Sequence, residues 1–212
     1  MTPLELARRE REEFADFLSG LTPEQWNHPS LCSGWSVRDV VAHCVSFEDL
    51  TARELATRFV KGRLQTDRIN ALAVAALADR PTGRLVGILR DNAEPHGLGG
   101  GFGGRVALTD NMIHQQDIRR PLRLPRRIPT ERLYAALDFV RYAPTIRGAW
   151  RARGVRLVAT DVDWSHGRGP EVRGTGEALL LVMAGRPDAL ADLDGAGVVR
   201  IDARARSRDA GL

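Results

Sequence analysis

The sequence predicts an α+β protein, mainly α, with a helical bundle over residues 1–150 followed by a small α/β unit over 151–212. Apolar residues recur at helical spacing through most of the first 150 positions. After Gly154 the pattern changes: Val155, Leu157 and Ala159 alternate with polar residues, as a half-buried strand requires. At 43% hydrophobic, the chain has material for a core in both parts.

Taken in order, Leu4, Ala7, Phe14, Phe17 and Leu18 mark a first amphipathic helix, stopped at Gly20. Thr22-Pro23-Glu24 opens a short helical turn carrying Trp26, and a loop from His28 to Gly34 follows. Ser36 and Asp39 form a capping box, the serine oxygen taking an orphan amide while the carboxylate reaches back. The helix they open is expected to run through Val37, Val40, Val41, Cys44, Phe47 and Leu50 to about Phe59. A third helical region covers 67–93, broken near Pro81, where proline cannot continue the ladder.

The glycine-rich run from Gly97 to Gly104 reads as a flexible connection. No strand precedes it, so it is not a dinucleotide motif. A fourth helix runs from Arg105 to Pro121, and Thr130 is placed to cap a fifth, from Glu131 to about Trp150. In the tail, Asp163 to Pro170 is expected as a hairpin turn, Val172 in a return strand, residues 176–184 and 187–193 as helices, and Val198 to Ile201 as a last strand.

Composition narrows the function classes. No apolar run approaches the roughly 20 residues that span a bilayer, and the charged start of the chain lacks a signal core, so a cytoplasmic location is expected. Cys32 and Cys44 cannot make a disulfide framework and read most simply as buried thiols. The net charge of +4 rests almost wholly on arginine, with Lys61 the sole lysine. The densest basic stretch, Arg119, Arg120, Arg123, Arg126 and Arg127, has no interleaved aromatics to stack on bases and follows a helix C-terminus, where cations suit the dipole. No nucleic-acid partner is expected.

The informative segment is Leu108-Thr-Asp110-Asn-Met-Ile-His114-Gln-Gln-Asp117. Residues i and i+4 share a helical face, so Asp110 and His114 project side by side, a two-point clamp for a divalent ion. A bundle completes such a site from a facing helix. Of the other histidines, His28, His96 and His166 fall in loops or turns, which leaves His43. Asp117 is placed to orient a ligand from behind. Two histidines and one carboxylate leave a position open, as catalytic rather than structural sites do.

The stretch from Ser30 through Cys32, Trp35, Arg38 and Asp39 to His43 resembles the signature of the mycothiol-dependent maleylpyruvate isomerase family, the actinobacterial branch of the DinB-like bundles. The run from Asp110 through His114 and Asp117 to Pro121 resembles its second signature, and the tail from Gly154 to Gly195 resembles its small C-terminal domain. The resemblance implies a DinB-like metal-binding four-helix bundle with a small C-terminal α/β domain. It implies His43, Asp110 and His114 as metal ligands, with aspartate at 110 where the family usually has glutamate. It further implies Arg186 as a catalytic and cofactor-binding arginine and Arg68 as a second arginine for a substrate anion.

The implied activity is that of a metal-dependent enzyme, with zinc the expected ion, using a low-molecular-weight thiol such as mycothiol on a small electrophilic substrate. Its reaction would be isomerisation of the maleylpyruvate type or thiol S-transfer, in a monomer or homodimer. The alternative is a non-catalytic ligand-binding or structural member of the same fold.

Overall fold

The computed structural model describes residues 1–48, 50–143 and 146–209. It divides into two compact units, Met1–Pro125 and Arg126–Leu212. Among the described residues the first holds seven helices: α1 (Pro3–Ser19), α2 (Pro23–Trp26), α3 (Val37–Val45), α4 (Ala52–Lys61), α5 (Thr66–Ala75), α6 (Thr82–Asp91) and α7 (Arg105–Leu122). Helices α1, α3, α6 and α7 pack on one another as a four-helix bundle. The core between them is Phe14, Leu18, Val37, Val40, Val41, Leu85, Leu89 and Ile118, closed at one end by Trp26.

Capping decides where four of these helices begin. Thr2 with Glu5, Thr22 with Gln25, Ser36 with Asp39 and Thr51 with Glu54 all form reciprocal capping boxes. The last of these corrects the sequence reading. The helix opened by Ser36 was expected to reach Phe59, but it stops at Val45, and Thr51 starts a new one. His43 therefore lies in the final turn of a nine-residue helix rather than inside a long one. Proline 81 breaks the third region as expected.

The Gly97–Gly104 segment is a chain of closed turns, with the Gly100, Gly101 and Gly104 amides donating to the carbonyls of His96, Leu98 and Gly100. Gly104 ends it at a φ of +91°, where a Cβ would come 2.9 Å from the Leu4 Cα. Glycine is needed here both for the backbone angle and for the approach of α1 to the start of α7. Gly104→Ala is expected to destabilise the chain by about 1–3 kcal/mol in urea denaturation, the cost of one strained residue plus the contact.

In the second unit, α8 (Thr130–Val140) packs against α10 (Gly176–Met183), and α10 also lies against a three-stranded sheet. Leu133, Ala136, Leu137, Leu157, Val172 and the run Leu179 to Met183 are buried there. Because α8 packs on α10, the chain divides between Pro125 and Arg126, upstream of the division near residue 150 that the change of pattern suggested. The fifth helix is shorter than expected, ending at Val140 before a separate turn, α9 (Gly148–Arg151), while residues 144 and 145 lie outside the described residues. Its N-cap is Pro129, so Thr130 is the first helical residue and not the cap.

The sheet has the order β2-β1-β3, with β1 (Arg156–Ala159), β2 (Ser165–Gly167) and β3 (Glu171–Gly174). β2 runs antiparallel and β3 parallel to β1, so the segment 163–170 contains a strand as well as turns. His166 sits in that strand, half-buried opposite Leu157, rather than in an exposed turn. The expected strand at Val198 to Ile201 is instead the first turn of α11 (Val198–Asp209), following the 3-10 turn Pro187–Asp192. Among the described residues no helix is long and apolar enough to cross a membrane.

Candidate metal centre

Helix α7 packs against α3, and the contact brings His43 to Asp110 and His114. Each of the three offers a donor atom, and these atoms lie within 4.8 Å of one another. The His114 Nε2 is 3.5 Å from Asp110 Oδ1, and the imidazoles of His43 and His114 meet edge to face with centroids 4.9 Å apart. The Asp110 side chain is 39% exposed and that of His114 10%, so the group opens to solvent on the carboxylate side. A small molecule can approach from there.

Behind His114 the arrangement is closed. Its Nδ1 lies 2.9 Å from Oδ2 of Asp117, whose side chain is wholly buried. That contact fixes the ring so that Nε2 faces Asp110, the device by which metal-binding imidazoles are usually oriented. Burial alone would push the His114 imidazole down, but Asp110 beside it, aided by hydrogen bonds to Asp110 and Asp117, raises it well above its ordinary range. Burial would likewise raise Asp110, yet His114, and the charges of His43 and Arg11 beyond it, hold the carboxyl at about 2. The carboxylates and the imidazole thus favour one another's charged forms, and a divalent cation would answer the same concentration of negative charge.

The donor set suits such an ion. Two imidazoles and one carboxylate, drawn from two helices and braced from behind by a buried acid, make a three-ligand site of the open catalytic kind. The shorter aspartate arm reaches the cluster because α7 lies directly against α3.

The His28–Ser36 loop builds the other wall. Pro29 bridges to Ser36, the Ser30 amide donates to Trp35 O at 2.9 Å, and the Trp35 amide donates to Cys32 O at 2.9 Å. Gly34 at a φ of +76° lets this tight turn close. Trp35 then lies 5.3 Å from the His43 ring, centroid to centroid, with Phe47 at 6.4 Å. The loop is tied to α7 by a consequence of Pro121. Proline has no amide to give the carbonyl four residues back, which is that of Asp117, and the Leu31 amide takes that carbonyl at 3.0 Å.

Two features of the centre escaped the sequence reading. Cys32 is not an incidental thiol: its Sγ lies 3.1 Å from Asp117 Oδ2 and 3.8 Å from His114 Nδ1. The second is Arg11 on α1, 1% exposed, which pairs with Glu48 and donates to Asn92 O at 2.6 Å. Cys44, by contrast, is as buried as expected, and burial pushes its thiol up to about 12.

The two arginines lie apart from the three ligands in the sequence of elements. Arg68 stands exposed on α5. Arg186, half-buried in the second unit, precedes the 3-10 turn and donates to Ala184 O at 2.9 Å. Within the basic stretch, Arg119 stacks over Phe17 at 3.7 Å and bonds Gln115 and Leu124, an intramolecular role.

The family model for the mycothiol maleylpyruvate isomerase N-terminal domain matches residues 7–96, a span that contains His43, Cys32 and Trp35 and ends before α7. A crystal structure of a mycothiol-dependent maleylpyruvate isomerase superposes with a TM-score of 0.52 at 13% identity, covering 92% of this chain and 91% of that one. The structure of a histidine-to-alanine mutant of such an isomerase gives 0.50 at 12% identity over the same shares. At these identities the likeness establishes the fold. The comparison with curated proteins found no match.

Proposed function

We propose, from the match of residues 7–96 to the model of the mycothiol maleylpyruvate isomerase N-terminal domain, that this chain is a metal-dependent enzyme, with zinc the expected ion, that uses a low-molecular-weight thiol such as mycothiol. The observation that carries the proposal is the convergence of His43, Asp110 and His114 within 4.8 Å, backed by Asp117.

In this reading the two imidazoles are neutral ligands and Asp110 supplies part of the compensating charge. His43, Asp110 and His114 would hold a divalent ion, which would supply Lewis acidity enough to keep a coordinated thiol ionised at neutral pH. The thiol comes from outside the chain. Cys44 is held protonated by burial, and Cys32 is engaged with Asp117 on the far side of the His114 ring. Asp117 holds the His114 tautomer, and the rings of Trp35 and Phe47 pack beside His43.

Arg186 is assigned to a carboxylate of the substrate or the thiol cofactor, because a guanidinium fork fixes orientation as well as charge. Arg68 is assigned to a substrate anion. Addition of the thiolate across an electrophilic double bond would open its π bond; rotation and expulsion of the same thiolate would give isomerisation, while capture of the thiol's released proton on the neighbouring carbon would leave the S-conjugate. The cytoplasm, where such thiols act, is the proposed location.

The test is turnover of maleylpyruvate and of model electrophiles by zinc-loaded protein, with and without mycothiol. Thiol-dependent turnover that a chelator abolishes is the expected result. Stoichiometric metal without any thiol-dependent turnover would favour a non-catalytic binding module instead.

A pH dependence follows from the raised proton affinity of His114. Metal and proton compete for His114, whose raised affinity for the proton extends that competition upward through neutral pH. Zinc affinity is therefore expected to rise with pH across this range. Calorimetry in buffers of different ionisation enthalpy should show proton release on binding. Pure binding with no proton released at neutral pH would contradict the assignment of His114.

A further inference from the structure

We infer that Cys32 is a positioning residue of the metal centre, its thiol donating to Asp117 Oδ2 so that this carboxylate stays aimed at Nδ1 of His114. The inference rests on the reading of His43, Asp110 and His114 as metal ligands. One oxygen of Asp117 takes both contacts, from Sγ at 3.1 Å and from the ring at 2.9 Å, and it does so where the carboxylate has no exposure to water. A buried carboxylate in this position needs its acceptor sites filled, and each unfilled one costs stability and freedom of aim.

The loop is built to deliver the sulfur there. The Ser30 Oγ accepts from the Cys32 amide at 3.1 Å and donates to Trp35 O at 2.8 Å, while the Leu31 amide takes the carbonyl that Pro121 leaves open on the same Asp117. Backbone and side chain of Asp117 are thus both held by consecutive residues of one loop. The other end of that loop sets Trp35 against His43. One short segment therefore orients both imidazole ligands, through Trp35 on α3 and through Cys32 and Asp117 on α7. The sulfur itself lies nearest Nδ1, on the side of the ring away from Asp110, so it acts on the ligand and not on the ion.

The test uses the full chain loaded with cobalt(II) in place of zinc, comparing wild type with Cys32→Ala and Cys32→Ser. Affinity is read by chelator competition, geometry by the visible ligand-field bands, and folding by the melting temperature of the metal-free protein. Removing an outer partner of a metal-binding histidine typically costs about 10–100-fold in affinity, and Cys32→Ala is expected to fall at the lower end, near 10-fold, with shifted bands. Cys32→Ser keeps a hydroxyl donor on the same Cβ and is expected to restore most of both.

Wild-type affinity and bands in Cys32→Ala, or a loss in both variants that follows the melting temperature, would reduce Cys32 to packing and overturn the inference. A sulfur-to-cobalt charge-transfer band in the wild type that vanishes in Cys32→Ala would make Cys32 a direct ligand and overturn it too. A wild-type chain that takes up no cobalt fails earlier, because it removes the metal reading on which the inference stands.

Discussion

The Asp110→Ala variant is expected to purify without stoichiometric metal and to lose thiol-dependent turnover, while its metal-free form stays folded and melts modestly below the wild type, because the pairing with His114 is lost. The carboxylate is one of the three proposed ligands, so its loss should exceed the ~10–100-fold that outer partners of a ligand cost. Its side chain is 39% exposed, so truncation leaves no cavity in the core. The partner it abandons, His114, keeps Asp117. Elemental analysis of both proteins, purified side by side, checks this. Equal metal in the two would show that Asp110 is not a ligand, and a large drop in melting temperature would show that the residue serves the fold instead.

Arg11→Met is expected to have the largest effect on stability, without touching a ligand. The guanidinium is 1% exposed and the Glu48 side chain it pairs with 7%, so the variant leaves a buried carboxylate without this partner. Breaking a buried pair from one side typically costs about 3–5 kcal/mol. The double variant Arg11→Met with Glu48→Met should recover much of the loss, because well-packed apolar side chains of similar volume often replace such a pair at little cost. Urea denaturation of the three variants gives the answer. If Arg11→Met alone falls within experimental error of the wild type, the pair is not a structural element of the bundle.

The bundle was legible in the sequence because its signals were local. The Ser36 and Asp39 box, the apolar periodicities and the break at Pro81 each occupy one or two turns and appear in the structure where they were read. The end of α3 was missed although Thr51 and Glu54 carry the same box motif. The apolar period of Phe47 and Leu50 reads straight across the break and outweighs it. Val198 to Ile201 is a four-residue apolar run whose period fits a strand or a helix equally well, and α11 uses it as a first turn.

The candidate centre followed the same division. Asp110 and His114 were readable as a pair four residues apart on one helix, and His43 by the placement of the remaining histidines. Cys32 and Arg11 were not readable from spacing. Their roles depend on contacts 85 and 37 residues away, made by a loop closing on α7 and by the chain turning back beyond α3. The one clue in the chain was Pro121, whose missing amide frees the Asp117 carbonyl, but its use by Leu31 is visible only once the fold is formed.

X-ray absorption at the zinc edge on the zinc-loaded chain tests the central claim most directly. One zinc per chain is expected, with two imidazole nitrogens and a carboxylate oxygen, falling to a single imidazole in His43→Ala. A spectrum that shows no imidazole, or that is the same in wild type and His43→Ala, would mean that His43, Asp110 and His114 do not share an ion.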